Sequence, residues 1–482
     1  MGMERQFKPM IPSDNIMDFG AEPGGLVDCS PVFSRLLADI REKGEGRILV
    51  PAGTFLTGPI ELPDNTTLEL ARGATLLFID DPERYEPVET RWEGIVCHAM
   101  HPLVFAKNAR NVAIIGEGVI DGNGKAWWET HRRKKAEKQA GPVSAIEKRL
   151  GALNRLGLNQ PSGGGGRETQ FLRPPLVQFL SCDGVTLRGV TLRNSPFWTL
   201  HPVFSGRILI DNVRIENPSD APNTDGIDID SCSDITIVDC VVNVGDDCLA
   251  LKAGAGPQGL AENRPTRNVK ISGCTFLSGH GGVVIGSETA GGIENVDVSN
   301  CRFIGTDRGI RIKSRRGRGG KVQNLLFQNL VMERVLAPLT INLYYNCGAR
   351  AEDAPALFSK FPQEVSPLTP QFRNIKVANL VASECRASAG FIVGLPESKI
   401  SNLVLENCVI SMADDNLVPV SQSEMYQGVE ETTHRGLRLK NVDCSLSGVQ
   451  IENCGGCCIQ VEEGCEIRPA QPPSATKAGS GI

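Results

Sequence analysis

The chain has 482 residues, 40% hydrophobic and 22% charged, a globular balance in a length that suits two or three ordinary domains or one large continuous one. A formal net charge of −6 excludes a global attraction to nucleic acid or to an anionic membrane, and no apolar run is long enough to span a bilayer. Sixteen cysteines in a chain this long are not the disulfide framework of a small secreted domain; with no apolar leader they favour the cytoplasm, a secreted or periplasmic location following if a signal was removed ahead of "MGMERQF".

The first predicted element is a helix over "SPVFSRLLADIREKG", residues 30 to 44, with a serine cap, apolar residues at i, i+3 and i+4, and a terminal glycine. Short strands and turns follow in "GRILVPAGTFLTGPIELPDNTTLELARGATLLF". Residues 1–85 are expected to be a cap and the first coils, and 86–465 one repetitive domain. Residues 129–172 interrupt the pattern: "ETHRRKKAEKQAGPVSAIEKRLGALNRLG" is charged and partly helical and runs into "NQPSGGGGRET". The four glycines lack the lysine and hydroxyl residue of a phosphate loop, so the segment reads as a surface excursion beside the site.

From residue 184 a seven-residue phrase recurs: "GVTLRGV" (184), "RILIDNV" (207), "DITIVDC" (234), "NVKISGC" (268), "NVDVSNC" (295), "NLLFQNL" (324), "NIKVANL" (374) and "NLVLENC" (402). The steps are 23, 27, 34, 27, 29, 50 and 28 residues, the step of 50 being close to two periods. Alternation with period 2 and no intervening amphipathic helix predict an all-β parallel solenoid. Cys240, Cys274, Cys301 and Cys408 fall on the seventh position and should stack as an internal packing ladder. The cluster Cys454, Cys457, Cys458 and Cys465 lacks a pair of C-x2-C knuckles, so no metal or other cofactor is expected. The final residues, 466–482, read as a disordered tail.

Four polar motifs sit at coil spacing. "NTDG" carries Asn223 and Asp225, "GDD" carries Asp246 and Asp247 21 residues after Asp225, "GHG" carries His280 34 residues after Asp246, and "RIK" carries Arg311 and Lys313 31 residues after His280. One coil is one strand spacing, ~4.8 Å, so the four would form a patch about 15 Å long. Three clustered carboxylates can supply both a proton donor and a proton acceptor. Their repulsion should keep one protonated near neutral or mildly acidic pH. Residues 308 to 321, "RGIRIKSRRGRGGK", carry seven basic residues and no acid, and Arg311 and Lys313 alternate on one strand face where they can clamp an anion.

"NTD", "GDD", "GHG" and "RIK" in this order resemble the signature of the polygalacturonase family of glycoside hydrolases, family 28. The resemblance extends over "DFGA" (18–21), "VPAGTFLTGPIEL" (50–62), "RWEG" (91–94), "GVIDGNGKAWW" (118–128) and "NSPFWTLHPV" (194–203). "GGVVIGSE", ending at Glu288, is similar to exo-acting bacterial and plant-like members. The chain departs from the family in lacking an acidic pair after "DFGA". The resemblance implies a right-handed parallel β-helix that hydrolyses galacturonate oligo- or polysaccharides by inversion. It makes Asp246 the acid, Asp225 and Asp247 the activators of water, and His280 the residue that tunes the acid. Asn223, Arg311, Lys313, Tyr345, His201 and Glu288 would bind substrate; Tyr344 competes with Tyr345, and for Trp198 lining the pocket and packing the coil stand as alternatives. His98, His101, His131 and His434 read as ordinary surface or packing residues. A pectate-type lyase, a rhamnogalacturonan hydrolase and a non-catalytic glycan-binding solenoid stand as alternatives.

Overall fold

The computed structural model describes residues 12–154, 167–346 and 348–469. The repeated phrase is the strand of one long parallel sheet. Its second apolar position stacks coil on coil, Val185 beside Ile208, then Ile235, Val269, Val296, Leu325, Ile375 and Leu403. This 22-stranded sheet and a 12-stranded sheet wrap one core and form a parallel β-helix. Two ladders merge within the larger sheet, because the 13-residue strand Lys321–Glu333 pairs with both Ile293–Ser299 and Arg302–Ile304. The repeat is therefore a coil, as its spacing requires.

Two stacks of like residues hold the turns and the interior. Asn268, Asn295, Asn324, Asn374 and Asn402 open successive phrases in left-handed conformation, with φ between 52° and 59°. The side-chain amides of the last four each donate to the carbonyl oxygen of the asparagine one coil before, at 2.9 to 3.3 Å, and Asn268 donates to Asp234 Oδ1 at 2.9 Å. Asparagine tolerates this conformation and bonds locally, which a β-branched residue does not do. A second stack runs through Asn300, Asn329, Asn379 and Asn407. At the seventh position Val190, Val213, Cys240, Cys274, Cys301, Leu330, Leu380 and Cys408 are all buried. Cysteine shares that row with valine and leucine and acts as a small hydrophobe. Burial pushes the thiols of Cys232 and Cys385 up to about 12, which leaves them unreactive at neutral pH. Such thiols survive in any redox compartment, so the step from free cysteines to the cytoplasm has no force. No helix among the described residues is long and apolar enough to cross a membrane.

Helix α1 (Ser30–Lys43) covers the first coil with Phe33, Leu36, Leu37 and Ile40 and ends at Gly44, φ 82°. The expected serine cap is replaced: Asp28 Oδ1 accepts from the Ser30 N–H at 2.9 Å, and Ser30 begins the helix. The excursion contains helix α2 (Lys125–Ala136) and helix α3 (Ala145–Asn154), joined by a buried Lys134–Glu147 ion pair of 2.5 Å. Its glycine run, 163–166, lies outside the described residues. The expected tail begins with a short strand, Glu466–Arg468, paired to Val442–Glu452; residues 470–482 lie outside the described residues.

The 12-stranded sheet differs from its partner. Six of its strands are β1 (Leu200–Val203), β2 (Ile227–Asp230), β3 (Asp247–Lys252), β4 (Gly281–Ile285), β5 (Arg308–Lys313) and β6 (Ala337–Asn342). All six are buried at every position, inward and outward alike. Their outer face is covered by an antiparallel hairpin, Pro87–Trp92 with Ile95–Met100, and by the chain near residues 422–426.

Candidate active site

Backbone bonds between coils bring the motifs into register. Gly226 N–H donates to the Asp247 carbonyl at 2.9 Å and His280 N–H to the Asp246 carbonyl at 3.0 Å. Gly279 must be glycine: its φ is 89°, and a Cβ there would lie 2.5 Å from the Asp246 carbonyl oxygen. Asp225, Asp246 and Asp247 each bring a carboxylate oxygen to within 4.8 Å of the others. Asp225 and Asp247 are buried, Asp246 is half-buried, and His280 stands at the mouth with its Nδ1 3.2 Å from Asp246 Oδ1.

Arg311 Nη1 donates to Asp247 Oδ1 and Lys313 Nζ to Asp247 Oδ2, both at 2.6 Å. The two cations are therefore committed to Asp247 before any sugar carboxylate arrives. Tyr345 is the tyrosine of the site: its ring lies 5.2 Å from Lys313 Nζ and 5.7 Å from the Arg311 guanidinium. Tyr344 turns away to Arg316 and the Ser359 carbonyl. The remaining basic run is mostly internal. Arg316 forms a bidentate pair with Glu397, Arg318 lies 3.5 Å from Glu288, and Arg308 donates to the Ser423 and Gln422 carbonyls.

Burial, then the Asp246 charge, push the Asp225 carboxyl well above the carboxylate range. Burial is the largest single influence on Asp246 and raises it, but the His280 hydrogen bond and the His280 and Lys313 charges together outweigh burial and leave Asp246 below its ordinary value. The same bond raises His280 above its ordinary value, so the pair shares a proton near neutral pH. Burial of Asp247 is overcome by Lys313, Arg311 and Lys252, which hold it ionised. The proton expected on the cluster thus sits on Asp225 and on the His280–Asp246 pair when the site is empty.

A second cluster adjoins the first. Lys252 Nζ lies 3.4 Å from both Asp228 and Glu288 and 4.4 Å above the Trp198 ring. Burial pushes Asp228 up to about 8, while Lys252 and Arg318 overcome the burial of Glu288 and take it down to about 2. His201 is fully buried, edge-on to Trp198 at 4.9 Å, with Nδ1 accepting from Gln178 Nε2 at 2.9 Å. Burial beside Lys252 keeps it neutral. His201 and Glu288 thus belong to a layer behind the carboxylates. Asn223 belongs to neither cluster and accepts from Arg173. His98, His101, His131 and His434 lie elsewhere.

Sequence reasoning undervalued the hairpin. Arg91 of "RWEG" is fully buried and donates to Asp230 and Ser231, both at 2.8 Å. Thr90 Oγ1 donates to Gln178 at 2.6 Å, and Trp92 stacks on Phe197 at 4.8 Å. Gly94, φ 75°, lets the hairpin tip lie against Glu288, whose Cγ would be 2.8 Å from a Cβ there. Asn154 of α3 exchanges bonds with the His98 backbone, so the excursion buttresses the hairpin. On the other side of the carboxylates, Met425 touches Arg311 through its sulfur at 3.0 Å and accepts from Asn342 through its carbonyl. The groove is therefore walled on two sides. Among the described residues the carboxylate trio is the only group of acids, histidines or cysteines close enough to ligate one ion. Of the C-terminal cysteines, Cys454 and Cys458 approach to 2.8 Å while Cys457 and Cys465 bond to backbone carbonyls.

A carboxylate trio, a histidine on one acid and two cations on another, at one coil intervals, is also where similarity to known proteins concentrates. The family model described as glycosyl hydrolases family 28 matches residues 162–357, which contain every one of these groups. An endo-polygalacturonase of Pectobacterium carotovorum subsp. carotovorum is 31% identical over 339 residues, 66% of this chain and 73% of its own length. A probable polygalacturonase of Vitis vinifera is 28% identical over 83% of this chain and 74% of its own. The crystal structure of a hyperthermoactive exopolygalacturonase from Thermotoga maritima superposes with a TM-score of 0.71 at 34% identity, over 84% of this chain and 89% of that one. With the β-helix, the trio and these relatives in agreement, the chain belongs to the glycosyl hydrolases family 28 and is a glycoside hydrolase.

Proposed function

We propose that the protein hydrolyses α-1,4-galacturonosidic bonds of polygalacturonate or oligogalacturonides, acting from a chain end. The observation that carries the chemistry is the trio within 4.8 Å, with His280 on Asp246 and Arg311 and Lys313 on Asp247. The proton that His280 and Asp246 share across their 3.2 Å contact passes through the Asp246 carboxyl to the leaving oxygen. A water between Asp225 and Asp247 loses its proton to Asp247, the ionised one of the two, as it adds to the anomeric carbon. Arg311, Lys313 and Tyr345 line the seat of a uronate, one cation turning from Asp247 to the sugar carboxylate. Similarity to the T. maritima exopolygalacturonase and to the P. carotovorum endo-polygalacturonase is nearly equal, so identity does not choose the mode. The walled groove supports exo-action. Reducing ends from polygalacturonate should rise well before viscosity falls, with one short product from the first minutes; a ladder of mixed oligomers with an early viscosity drop refutes the exo reading.

Inversion is our reading of the stereochemistry. The trio is tighter than the roughly 6.5–9.5 Å of ordinary inverting pairs and nearer the roughly 5–5.5 Å of retaining ones. That spacing favours retention as a second reading. Retention needs a carboxylate free to attack carbon, however, and Asp247 is held by two cations while Asp225 carries the proton. The anomer first formed, followed by proton NMR, decides: β-galacturonate from the α-linked substrate means inversion, and α means retention.

A further inference from the structure

Arg173 has no role in the chemistry above, yet its place is unusual. It closes the excursion, in "FLRPP", and is fully buried. Among the described residues no carboxylate lies within ion-pair distance of it. Burial lowers its pKa to about 9, a large cost for the most basic side chain. A protein that retains such a group uses its geometry.

The guanidinium spends its donors on two adjacent coils. Nη1 donates to the Pro196 carbonyl and to the Pro222 carbonyl, and Nη2 to Asn223 Oδ1, each at 2.8 Å. The plane stacks over Phe197 at 5.1 Å, and the Arg173 carbonyl accepts from Trp92 Nε1 at 3.0 Å. Arg173 therefore ties the hairpin to the turn that ends in Asp225. It also decides which way the Asn223 amide points. Guanidinium only donates, so the oxygen of Asn223 must face it and the NH2 must face the other way. Asn223 is partly open to solvent, holds φ at 56°, and its NH2 has no acceptor among the described residues.

We propose that Arg173 is a positioning residue for the reaction: it fixes the turn of Asn223 and Asp225 and presents the Asn223 NH2 as a hydrogen-bond donor to an oxygen of the bound sugar. The role rests on the hydrolase reading above. Lysine carries the same charge but cannot reach three acceptors spread over a plane. A 1 Å misplacement of such a group costs on the order of 10²-fold in rate.

The test is a double-mutant cycle on trigalacturonate with Arg173→Lys, Asn223→Gly and both, reading kcat, KM and Tm. Arg173→Lys should lower kcat/KM at least tenfold in the wild-type background and less than threefold beside Asn223→Gly. Effects that simply multiply overturn the proposal. Asn223→Asp is a second arm that does not depend on turnover: a carboxylate against the buried guanidinium should raise Tm, and an unchanged or lowered Tm overturns the contact. Wild-type turnover with unaffected variants sinks the role of Arg173 alone. No wild-type turnover of trigalacturonate or polygalacturonate sinks the hydrolase reading and this role with it.

Discussion

The same coil builds two sheets that treat their outward residues in opposite ways. On the larger sheet the outward positions of Ser233–Val238 or Ile293–Ser299 alternate with buried ones and meet water. On β2, β3 and β5 the outward positions include Asp228, Asp230, Lys252, Arg311 and Lys313, and all are buried. The difference lies in what covers the sheet, namely the hairpin on one flank and residues 422–426 on the other. Charges pressed under cover lose hydration and must find one another, and the tight ion pairs around Asp247 and Lys252 result. One scaffold thus yields a surface where substitution is cheap and a seam where each charge is coupled to the next.

The comparison breaks first at Asp247. Asp247→Asn should cost about 3–5 kcal/mol of stability and nearly all activity, because Arg311 and Lys313 are left buried without a partner. The pair Lys376–Glu406 on the open sheet, at 2.7 Å, is similar in distance but exposed. Glu406→Gln should leave Tm and kcat unchanged. Denaturant melts of the two variants measure the contrast, and equal effects would mean that cover does not matter. Asp246→Asn should also abolish turnover, by at least about 10²-fold, but with Tm kept, since Asp246 is half-buried and among the described residues its carboxylate is bonded to His280 and its own neighbour alone.

Legibility in the sequence follows the same division. The phrase was readable because the open sheet alternates: Val269 and Ile271 point in and Lys270 out, which period 2 detects. The covered strands, "DCLALK" for example, have no period, and only the motifs betrayed them. Asp225, Asp246, Asp247, His280, Arg311 and Lys313 lie together because coil spacing converts sequence distance into contact, whereas Tyr345 follows from the family resemblance alone. Arg91 with Asp230, 139 residues apart, and Arg173 with Asn223, 50 apart, were not legible. Those bonds run from insertions to the coil, and an insertion has no register with the repeat. The asparagine stacks were legible in principle, as the opening "N" of five phrases, but a turn residue carries no alternation and was passed over.

A smaller effect is expected at the mouth. His280 gains its raised pKa from Asp246, so their ion pair is complete below the unfolded histidine pKa of about 6.5 and is lost as pH rises through the higher folded value. Activity should fail on the alkaline side as that shared proton leaves. In His280→Gln the acid depends on its own carboxyl, and the alkaline limb of kcat should move to lower pH. An unmoved limb would show that His280 does not feed Asp246.

Smaller again is the turn on the open sheet. Asn324→Ala should cost about 1–2 kcal/mol, from the two rungs to Asn295 and Asn374 and from a methyl group forced to φ 59°. Asn324→Gly should recover part of this, since glycine takes that φ freely, and neither should change kcat. A loss of activity in either would mean that strain on the open sheet reaches the covered one through the core.

The smallest effect belongs to the buried thiols at the bend within the larger sheet. Cys240 occupies the row that holds Val190 and Val213 two and one coils earlier, so the site already accepts a valine-shaped group. Its sulfur bonds weakly to the Val238 and Ile210 carbonyls, at 3.3 and 3.7 Å. Both carbonyls also serve the sheet, and neither is orphaned when the sulfur leaves. Cys240→Val should therefore change stability by less than about 1.5 kcal/mol, as volume-conserving core swaps do, and leave kcat and the pH profile alone. Cys240→Ser is the sharper control. A hydroxyl is smaller than a thiol, leaves a void and brings a stronger polar group into an apolar row, so Ser should be the more destabilising of the two. If Ser were tolerated and Val were not, the thiol would be acting as a hydrogen-bond donor. The row would then be a polar seam inside the larger sheet, and the division between a cheap surface and a coupled seam would have to be redrawn through the core.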